Sequence, residues 1–104
     1  MLITVLKSKI DGAVVTDANI NYEGSITIDD ELLTRAFIRP GEQVHVLDVT
    51  NGKRFVTYTI SGSKNEICVN GAAAKLVEVG DKLIIIAYGI IDAHTVHVAK
   101  IIKI

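Results

Sequence analysis

Short runs rich in valine and isoleucine, separated by turn residues, constrain the fold of this chain more than any other feature of its sequence. β-branched residues favour strands, and a single proline leaves little to interrupt them. We therefore predict a mainly β protein. The predicted strands span residues 2–7, 13–16, 25–28, 43–49, 54–60, 66–70, 82–87 and 95–102.

One short helix is predicted after the third of these strands. Asp29 can cap its N-terminus, and Asp30 and Glu31 suit its first turn because they face the positive end of the helix dipole. The apolar face has helical spacing and comprises Leu32, Leu33, Ala36 and Phe37. The sequence Arg39-Pro40-Gly41 is predicted to end the helix.

The dipeptide Asn51-Gly52 predicts a type I′ β-hairpin, so the strands on either side of it should pair directly. The sequence shows no device that protects an exposed edge strand, which favours a closed barrel over an open sheet. A chain of 104 residues is long enough for one core only. We expect residues 1–104 to form a single domain, a small β-barrel with one or two short helices.

The charge balance argues against several kinds of partner. Eleven basic and twelve acidic residues give a net charge of -1, which supplies no field to attract nucleic acid or an anionic membrane. A DNA-binding regulator is therefore not expected. The longest apolar run, residues 83–91, is too short to span a bilayer, and the N-terminus lacks the pattern of a signal peptide. We expect a cytoplasmic protein, and its hydrophobic content of 49% suggests that part of the surface closes an oligomer.

The cysteine and the histidines show no pattern typical of catalysis or metal binding. Cys68 is the only cysteine, so no intrachain disulfide can form, and its apolar neighbours predict a small buried residue. His94 and His97 have helical spacing but fall in a predicted strand. Together with His45 they do not make a convincing metal site, and none is expected.

The dipeptide Gly24-Ser25 can carry chemistry of its own. A serine hydroxyl can attack the carbonyl of the preceding residue through a five-membered ring, and a glycine at that position leaves the ring uncrowded. The same dipeptide is common in solvated turns, so both interpretations stand on these residues alone. The sequence contains no G-x-S-x-G elbow, P-loop or dinucleotide-binding fingerprint.

Alternation along the predicted strand 54–60 places Arg54 and Tyr58 on one face and Thr57 on the other. An arginine binds a carboxylate with two hydrogen bonds and a tyrosine can transfer a proton, so this pair suits an acidic substrate. An exposed arginine packed beside a tyrosine fits the same pattern. Lys9, between two predicted strands, is a second candidate for anion binding, although it also fits an ordinary surface lysine.

The segment Asn70-Gly71-Ala72-Ala73-Ala74 follows a predicted strand and has minimal side chains. Its backbone N–H groups would be able to approach a bound ligand closely. A turn composed of small residues for close packing explains the same sequence, so this alternative also stays open.

Several motifs together resemble those of the bacterial aspartate 1-decarboxylase family. In the family's order and spacing they are Lys9, Tyr22-Glu23-Gly24-Ser25, Asn51-Gly52-Lys53-Arg54-Phe55, Thr57-Tyr58 and Val69-Asn70-Gly71-Ala72-Ala73-Ala74. The resemblance runs from the N-terminal Met-Leu through Val79-Gly80-Asp81 and weakens after about Gly89. It implies a small double-psi β-barrel, usually a homotetramer with active sites at subunit interfaces, whose pyruvoyl group is made from the serine after the glycine.

The resemblance implies self-cleavage between Gly24 and Ser25 into a β chain, residues 1–24, and an α chain, residues 25–104. Attack of Ser25 Oγ on the Gly24 carbonyl gives an ester, and elimination followed by hydrolysis leaves the pyruvoyl group on the α chain. Thr57 is implied to assist by hydrogen bonding near the Gly24 carbonyl. An accessory maturation protein is known for only part of the family and is not assumed.

The resemblance further implies decarboxylation of L-aspartate to β-alanine and CO2 for pantothenate synthesis, with no metal. The substrate amine would form a Schiff base on the pyruvoyl group derived from Ser25, and Tyr58 would donate a proton to the resulting carbanion. Lys9 and Arg54 would neutralise the substrate carboxylates. The remaining pocket residues implied by the family are Thr57, Asn70, Gly71, Ala72 and Ala73.

Two alternatives stay open, and a departure from the family pattern supports the first of them. Relatives usually carry histidine, often followed by arginine, where this chain has Asp11-Gly12, and Asp11 adds negative charge near a site expected to bind a dianion. The first alternative is an uncleaved, noncatalytic barrel that acts as a binding module. The second is a decarboxylase of a related acidic amino acid such as glutamate.

Overall fold

A computed structural model describes all of residues 1–104 as one eight-stranded sheet with two short helices. The strands are β1 (Leu2–Val14), β2 (Asp17–Asn19), β3 (Ser25–Asp29), β4 (Gln43–Asp48), β5 (Arg54–Gly62), β6 (Ile67–Asn70), β7 (Lys82–Asp92) and β8 (Lys100–Lys103). The helices are α1 (Asp30–Arg35) and a 3-10 helix (Gly71–Leu76). The prediction of a mainly β protein with one or two short helices is confirmed.

The chain itself closes the sheet into a barrel. The strand order is β2-β6-β3-β5-β4-β7-β1-β8, and β1 continues into β2 after only two residues. At this junction Val15 N donates to Asp81 O at 2.9 Å and Thr16 N donates to Ile67 O at 2.8 Å. The junction therefore connects the β7 side of the sheet to the β6 side. Strand β8 lies outside this ring as a parallel neighbour of β1.

Alternating burial separates the core of the barrel from its outer surface. Along β4, Val44 and Val46 point into a core of 17 buried hydrophobic residues. Along β5, Arg54, Val56 and Tyr58 are exposed. The predicted placement of Arg54 and Tyr58 on one face of their strand is confirmed.

The predicted strand 2–7 and the first half of the predicted strand 13–16 belong to one long strand, β1, which ends at Val14, so the predicted break between them is wrong. Lys9 accordingly lies within a strand. Inward-facing and outward-facing side chains alternate through this polar stretch of β1. Ser8 and Ile10 point inward, whereas Lys9 between them is only partly buried. Irregular pairing near Ser8 and near Gly12, whose φ is 99°, lets the strand bend without ending.

The predicted strand 95–102 is wrong over its first half, because β7 extends to Asp92 and only Lys100–Lys103 pairs as β8. Asp92 organises a turn after β7. Its carboxylate accepts from His94 N at 2.9 Å, and its carbonyl accepts from Thr95 N at 2.9 Å. Strand β2 is too short to be visible in the sequence pattern, and its three residues pair in parallel with β6.

Helix α1 begins as predicted but ends early. Asp29 Oδ1 accepts from Glu31 N at 2.8 Å, and hydrogen bonds from the backbone N–H of Asn65 and then of Glu31 lower the pKa of Asp29. The helix ends at Arg35, before the predicted stop. The predicted apolar face is therefore wrong at Phe37, which has φ 56° and is exposed, while Ile38 enters the core.

The hairpin at Asn51-Gly52 is confirmed, because β4 and β5 pair in antiparallel fashion on either side of it. The predicted type I′ turn is wrong, since only Gly52 has a positive φ, at 77°. Asp48 Oδ1 accepts from Thr50 N at 2.8 Å and from Asn51 N at 3.2 Å, and Asp48 N donates to Lys53 O. The Asp48 carboxylate thus stabilises a four-residue loop, residues 49–52, in place of the two-residue turn that was predicted.

Asp48 is buried next to a second buried carboxyl group, Asp81. Desolvation and then the hydrogen bond with Asp81 raise the pKa of Asp48, whereas the hydrogen bond with Asp48 lowers the pKa of Asp81. Asp48 Oδ2 has no donor from any other group. The opposite directions of the two pKa shifts are those expected when two neighbouring carboxyl groups share one proton.

The variant Asp48→Asn should make stability less dependent on pH, because an amide N–H replaces the shared proton. In the natural chain, Asp48 makes its full contribution to the free energy of unfolding below its ordinary pKa of 3.8. This contribution is lost as the pH rises through the raised pKa of Asp48 in the folded state. Thermal unfolding across this interval should show a falling Tm for the natural chain and a flatter curve for Asp48→Asn. Glu78→Gln, which changes an exposed carboxyl group that makes no hydrogen bond or ion pair, is the control. Parallel curves for Asp48→Asn and the natural chain would contradict the shared proton.

Candidate active site

Ser25 is fully buried at the first residue of β3, with an exposed fraction of 0%. Its Oγ donates to Glu23 O at 2.9 Å and accepts from Asn70 Nδ2 at 3.0 Å. Gly24, immediately before it, is exposed. A buried hydroxyl with two fixed partners is not the serine of a solvated turn, so that interpretation of Gly24-Ser25 does not hold.

Asn70 reaches Ser25 because of the register between β3 and β6. These strands pair in antiparallel fashion with Ser25 directly opposite Asn70. Asn70 is 3% exposed, so water cannot replace its contacts. Its amide therefore provides a fixed hydrogen-bond donor at the serine oxygen.

Gly71 packs directly against the Gly24 backbone. Its φ is 75°, and a Cβ placed on it would lie 2.7 Å from Gly24 Cα and 2.9 Å from Gly24 N. Only glycine permits both this backbone conformation and this approach. Ala72 and Ala73 follow in the 3-10 helix, so the small residues of this segment place the chain close to Gly24-Ser25.

Thr57 and Tyr58 stand level with the same dipeptide on the other side of β3. The parallel pairing of β3 with β5 begins at Ile26 and Thr59. Tyr58 precedes Thr59 by one residue, as Ser25 precedes Ile26. Thr57 precedes Thr59 by two residues, as Gly24 precedes Ile26. Neither hydroxyl has a hydrogen-bond partner within the chain, so both remain available.

Arg54 lies farther along β5 than these residues. It is four residues from Tyr58, a distance of about 13 Å along a strand. Its guanidinium Nη2 donates to Tyr88 OH at 3.1 Å and lies 3.3 Å from His45 Nδ1. These two neighbours, which the sequence did not indicate, orient Arg54 on the outer surface.

Lys9 lies on β1, which is separated from β5 by β7 and β4. Pairing connects Lys9 to Ile86, Ile86 to His45 and His45 to Val56, so Lys9 stands level with the Arg54 end of β5. Three strand spacings amount to about 14 Å. Lys9 makes no hydrogen bond or ion pair within the chain. One copy of the chain therefore brings Asn70 and Gly71 into contact with Gly24-Ser25 and places Thr57 and Tyr58 level with it, but it brings neither Lys9 nor Arg54 there.

Two residues that touch Asn70 were not singled out from the sequence as part of a site. Asn70 Nδ2 also donates to Thr27 Oγ1 at 3.0 Å, and Cys68 Sγ donates to Asn70 Oδ1 at 3.1 Å. Strand alternation places Thr27 on the same face as Ser25, and Cys68 on the same face as Asn70. That these two faces lie side by side is known only once β3 is seen to pair with β6.

Across the 104 residues, no group of three or more histidine, cysteine and acidic side chains is arranged to hold a metal ion. Neither helix has the length and apolar character needed to cross a membrane. The polar groups gathered at Gly24-Ser25 are hydroxyls, one amide and the backbone.

Comparison with solved structures identifies the class of fold. The rationally designed mkDPBB_sym_86 protein aligns with a TM-score of 0.52 at 16% identity, over 74% of this chain and 91% of its own. That protein is a double-psi β-barrel design. The chain is thus a small double-psi β-barrel protein with a buried serine after an exposed glycine, and the expected fold is confirmed.

Sequence comparison identifies the family. The family model for aspartate decarboxylase matches residues 1–104. The aspartate 1-decarboxylase of Caldicellulosiruptor saccharolyticus is 54% identical over 106 residues, covering 98% of this chain and 83% of the relative. Those of Caldicellulosiruptor bescii and Campylobacter curvus are 60% and 57% identical, covering 85% of this chain in each case and 70% and 76% of the relatives. The chain belongs to the aspartate decarboxylase family, as the motifs predicted.

Gly71→Ala should slow any cleavage at Gly24-Ser25 by about tenfold or more, equivalent to ~1.4 kcal/mol, because the new methyl group displaces the Gly24 backbone. Gly52→Ala is the matched control, since Gly52 has φ 77° but no atom within 4 Å of an added Cβ. Both variants should lose about 1 kcal/mol of stability from backbone strain, and Gly71→Ala should lose more because its methyl group also displaces the Gly24 backbone. Cleavage is followed by mass spectrometry and stability by thermal unfolding. Equal cleavage rates for the two variants would contradict a specific role for Gly71.

Proposed function

We propose that this chain is a self-processing, pyruvoyl-dependent decarboxylase that converts L-aspartate to β-alanine and CO2 for pantothenate synthesis. The observation that carries the proposal is the buried Ser25 hydroxyl, held by Asn70 next to the closely packed Gly24 backbone. Membership of the aspartate decarboxylase family over residues 1–104 supports it. The products of processing would be residues 1–24 and residues 25–104 of one original domain.

The first step of processing moves the Gly24 acyl group from nitrogen to oxygen. Ser25 Oγ bonds to the Gly24 carbonyl carbon, the C–N bond breaks, and the hydroxyl proton is transferred to the Ser25 nitrogen. Gly24 has no side chain to obstruct this ring, and Asn70 Nδ2 donates to Ser25 Oγ, which becomes more negative as its proton leaves. The charge then passes to the Gly24 carbonyl oxygen as the new bond forms. Thr57 carries a free hydroxyl on the neighbouring strand at the level of the Gly24 carbonyl, which suits an assisting donor.

The second stage removes the ester. Loss of the Ser25 Cα proton breaks the Cβ–Oγ bond, so Gly24 leaves as a free carboxylate and residue 25 becomes dehydroalanine. Water then releases ammonia and leaves a pyruvoyl group at the N-terminus of the second chain. The ester is less stable than the amide, and the irreversible elimination drives the sequence forward.

The surroundings of Ser25 fit a pyruvoyl group. The Asn70 amide that donates to the hydroxyl can donate to a carbonyl oxygen instead, and Gly71 keeps the cradle free of a side chain. Once formed, the pyruvoyl group supplies an electron sink for decarboxylation of an amino acid. Tyr58 has a free hydroxyl on β5, and we assign it the proton that the product carbon takes up. The backbone of Ala72 and Ala73 completes the pocket.

The cationic part of the site requires a second copy of the chain. Aspartate carries two carboxylates, and Lys9 and Arg54 are the cations assigned to them. Because both lie away from Ser25 in one copy, we propose a homotetramer in which they reach the site across a subunit interface. Large hydrophobic side chains exposed on the paired ends of β1 and β7 support such an interface; among them are Leu2, Ile3, Tyr88 and Ile90.

We place the enzyme in the cytoplasm, without nucleic acid or membrane as a partner, in keeping with its net charge of -1. An accessory maturation protein is not assumed. Asp11 lies two residues after Lys9 on the same side of β1, where its negative charge opposes any dianion, and it favours the alternative of an uncleaved, noncatalytic barrel. The alternative substrate is glutamate, which is a dianion as well. Glutamate differs by one methylene, worth about 1–3 kcal/mol in a pocket, so comparing kcat/KM for the two amino acids decides between them.

Ser25→Ala should abolish both cleavage and decarboxylation, because no hydroxyl remains to form the ester. Denaturing mass spectrometry should show a single intact chain. Ser63→Ala removes an exposed serine that makes no side-chain hydrogen bond, and it should be processed at the normal rate. Two fragments from Ser25→Ala would refute the processing mechanism.

Arg54→Ala should be cleaved normally but should lose about 100-fold in kcat/KM for aspartate, or ~2.7 kcal/mol, because one substrate carboxylate loses its partner. Arg35→Ala, at an exposed position on α1, is the matched control and should keep full activity. The measurement is steady-state kinetics on fully processed protein. An unchanged kcat/KM in Arg54→Ala would remove this residue from the site.

A further inference from the structure

Four polar side chains share one face of the β3–β6 ladder. Ser25 lies opposite Asn70, and Thr27 lies opposite Cys68 in the same antiparallel register. Residues two apart on a strand point to the same side, so the four form a compact group, which we name the polar quartet. Asn70 is at its centre, because its amide contacts the other three members.

The Asn70 amide has two possible orientations, and its neighbours differ in how strongly they select one. Serine and threonine hydroxyls donate or accept, so Ser25 and Thr27 can meet either end of the amide. A thiol donates but accepts poorly. Because Cys68 Sγ lies 3.1 Å from Asn70 Oδ1, it favours the orientation that turns Nδ2 toward Ser25.

Cys68 keeps the proton that this contact requires. The residue is 7% exposed, and burial, followed by the negative charges of Asp17 and Glu66, raises the pKa of its thiol. The thiol therefore stays protonated at neutral pH. It is a permanent donor inside the barrel and is not a reactive thiolate.

We propose that Cys68 is a positioning residue for cleavage at Gly24-Ser25 and that it acts through Asn70. In the observed orientation, Asn70 presents an N–H to the serine oxygen, which becomes negative as its proton leaves. In the reversed orientation a carbonyl oxygen would face that charge and oppose the reaction. The inference rests on the proposed self-processing and deepens it, since Cys68 touches no reacting atom.

Three substitutions separate hydrogen bonding from packing. Cys68→Ser keeps a donor, Cys68→Ala removes it and leaves a small cavity, and Cys68→Val removes it without a cavity. Cleavage of freshly made full-length chain is timed by mass spectrometry, with thermal unfolding alongside. Cys68→Ala and Cys68→Val should both cleave about three- to tenfold more slowly, as expected for one hydrogen bond, whereas Cys68→Ser should stay within about twofold of the natural rate.

A double-mutant cycle tests whether the effect passes through Asn70. In an Asn70→Ala background, Cys68→Ala should cause no further slowing, because there is no amide left to orient. Equal slowing in both backgrounds would overturn the proposal, as would failure of Cys68→Ser to restore the rate or a normal rate in Cys68→Ala. If Asn70→Ala cleaves too slowly to be timed, the cleavage rates of Cys68→Ser and Cys68→Val test the proposal instead. Equal rates for these two variants would overturn it.

The outcomes for this proposal and for the proposed function are distinct. A natural chain that never cleaves overturns both, because no processing exists to be assisted. A natural chain that cleaves, together with a Cys68→Ala chain that cleaves equally fast, overturns only the role of Cys68.

Discussion

The antiparallel pairing of β3 with β6 is the constraint on which the site depends. It places Ser25 opposite Asn70, and one residue later it brings the Gly71 backbone against Gly24. Both strands are buried, so a shift of register by one residue would turn the polar side chains to the opposite face and expose apolar ones. The stability of the barrel core therefore also fixes the geometry of the serine.

The site divides into two parts that the fold supplies differently. The group around Gly24-Ser25 is complete within one chain, because β5 and β6 flank β3 on its two sides. The cations Lys9 and Arg54 lie elsewhere on the outer surface, and in the proposed tetramer a second copy brings them to the site. Under the proposed function, the chain would process its own backbone through contacts made within one copy, while recognition of an external dianion would depend on assembly.

Local sequence patterns predicted the features that depend on neighbouring residues. The Asp29 cap, the hairpin at Asn51-Gly52 and the alternation along β5 were all predicted, because each is encoded within a few residues. Patterns failed where tertiary contacts decide. Examples are the continuous β1, whose bulges follow the curvature of the barrel, and the turn type at Gly52, which the Asp48 carboxylate determines.

The candidate residues of the site came mainly from family resemblance, since Gly24-Ser25 and Arg54 alone allowed ordinary structural explanations. The contact between Cys68 and Asn70 needed no distant pairing, but its importance depends on Ser25, which is 45 residues from Asn70 in the sequence. Periodicity reports which face a residue occupies and not which strand lies beside it. That information comes only from the fold.

Denaturing mass spectrometry of the purified full-length chain is the decisive experiment for self-processing at Gly24-Ser25. We expect two fragments, residues 1–24 ending in a free Gly24 carboxylate and residues 25–104 beginning with a pyruvoyl group in place of Ser25. A single intact chain of 104 residues after prolonged incubation would contradict it.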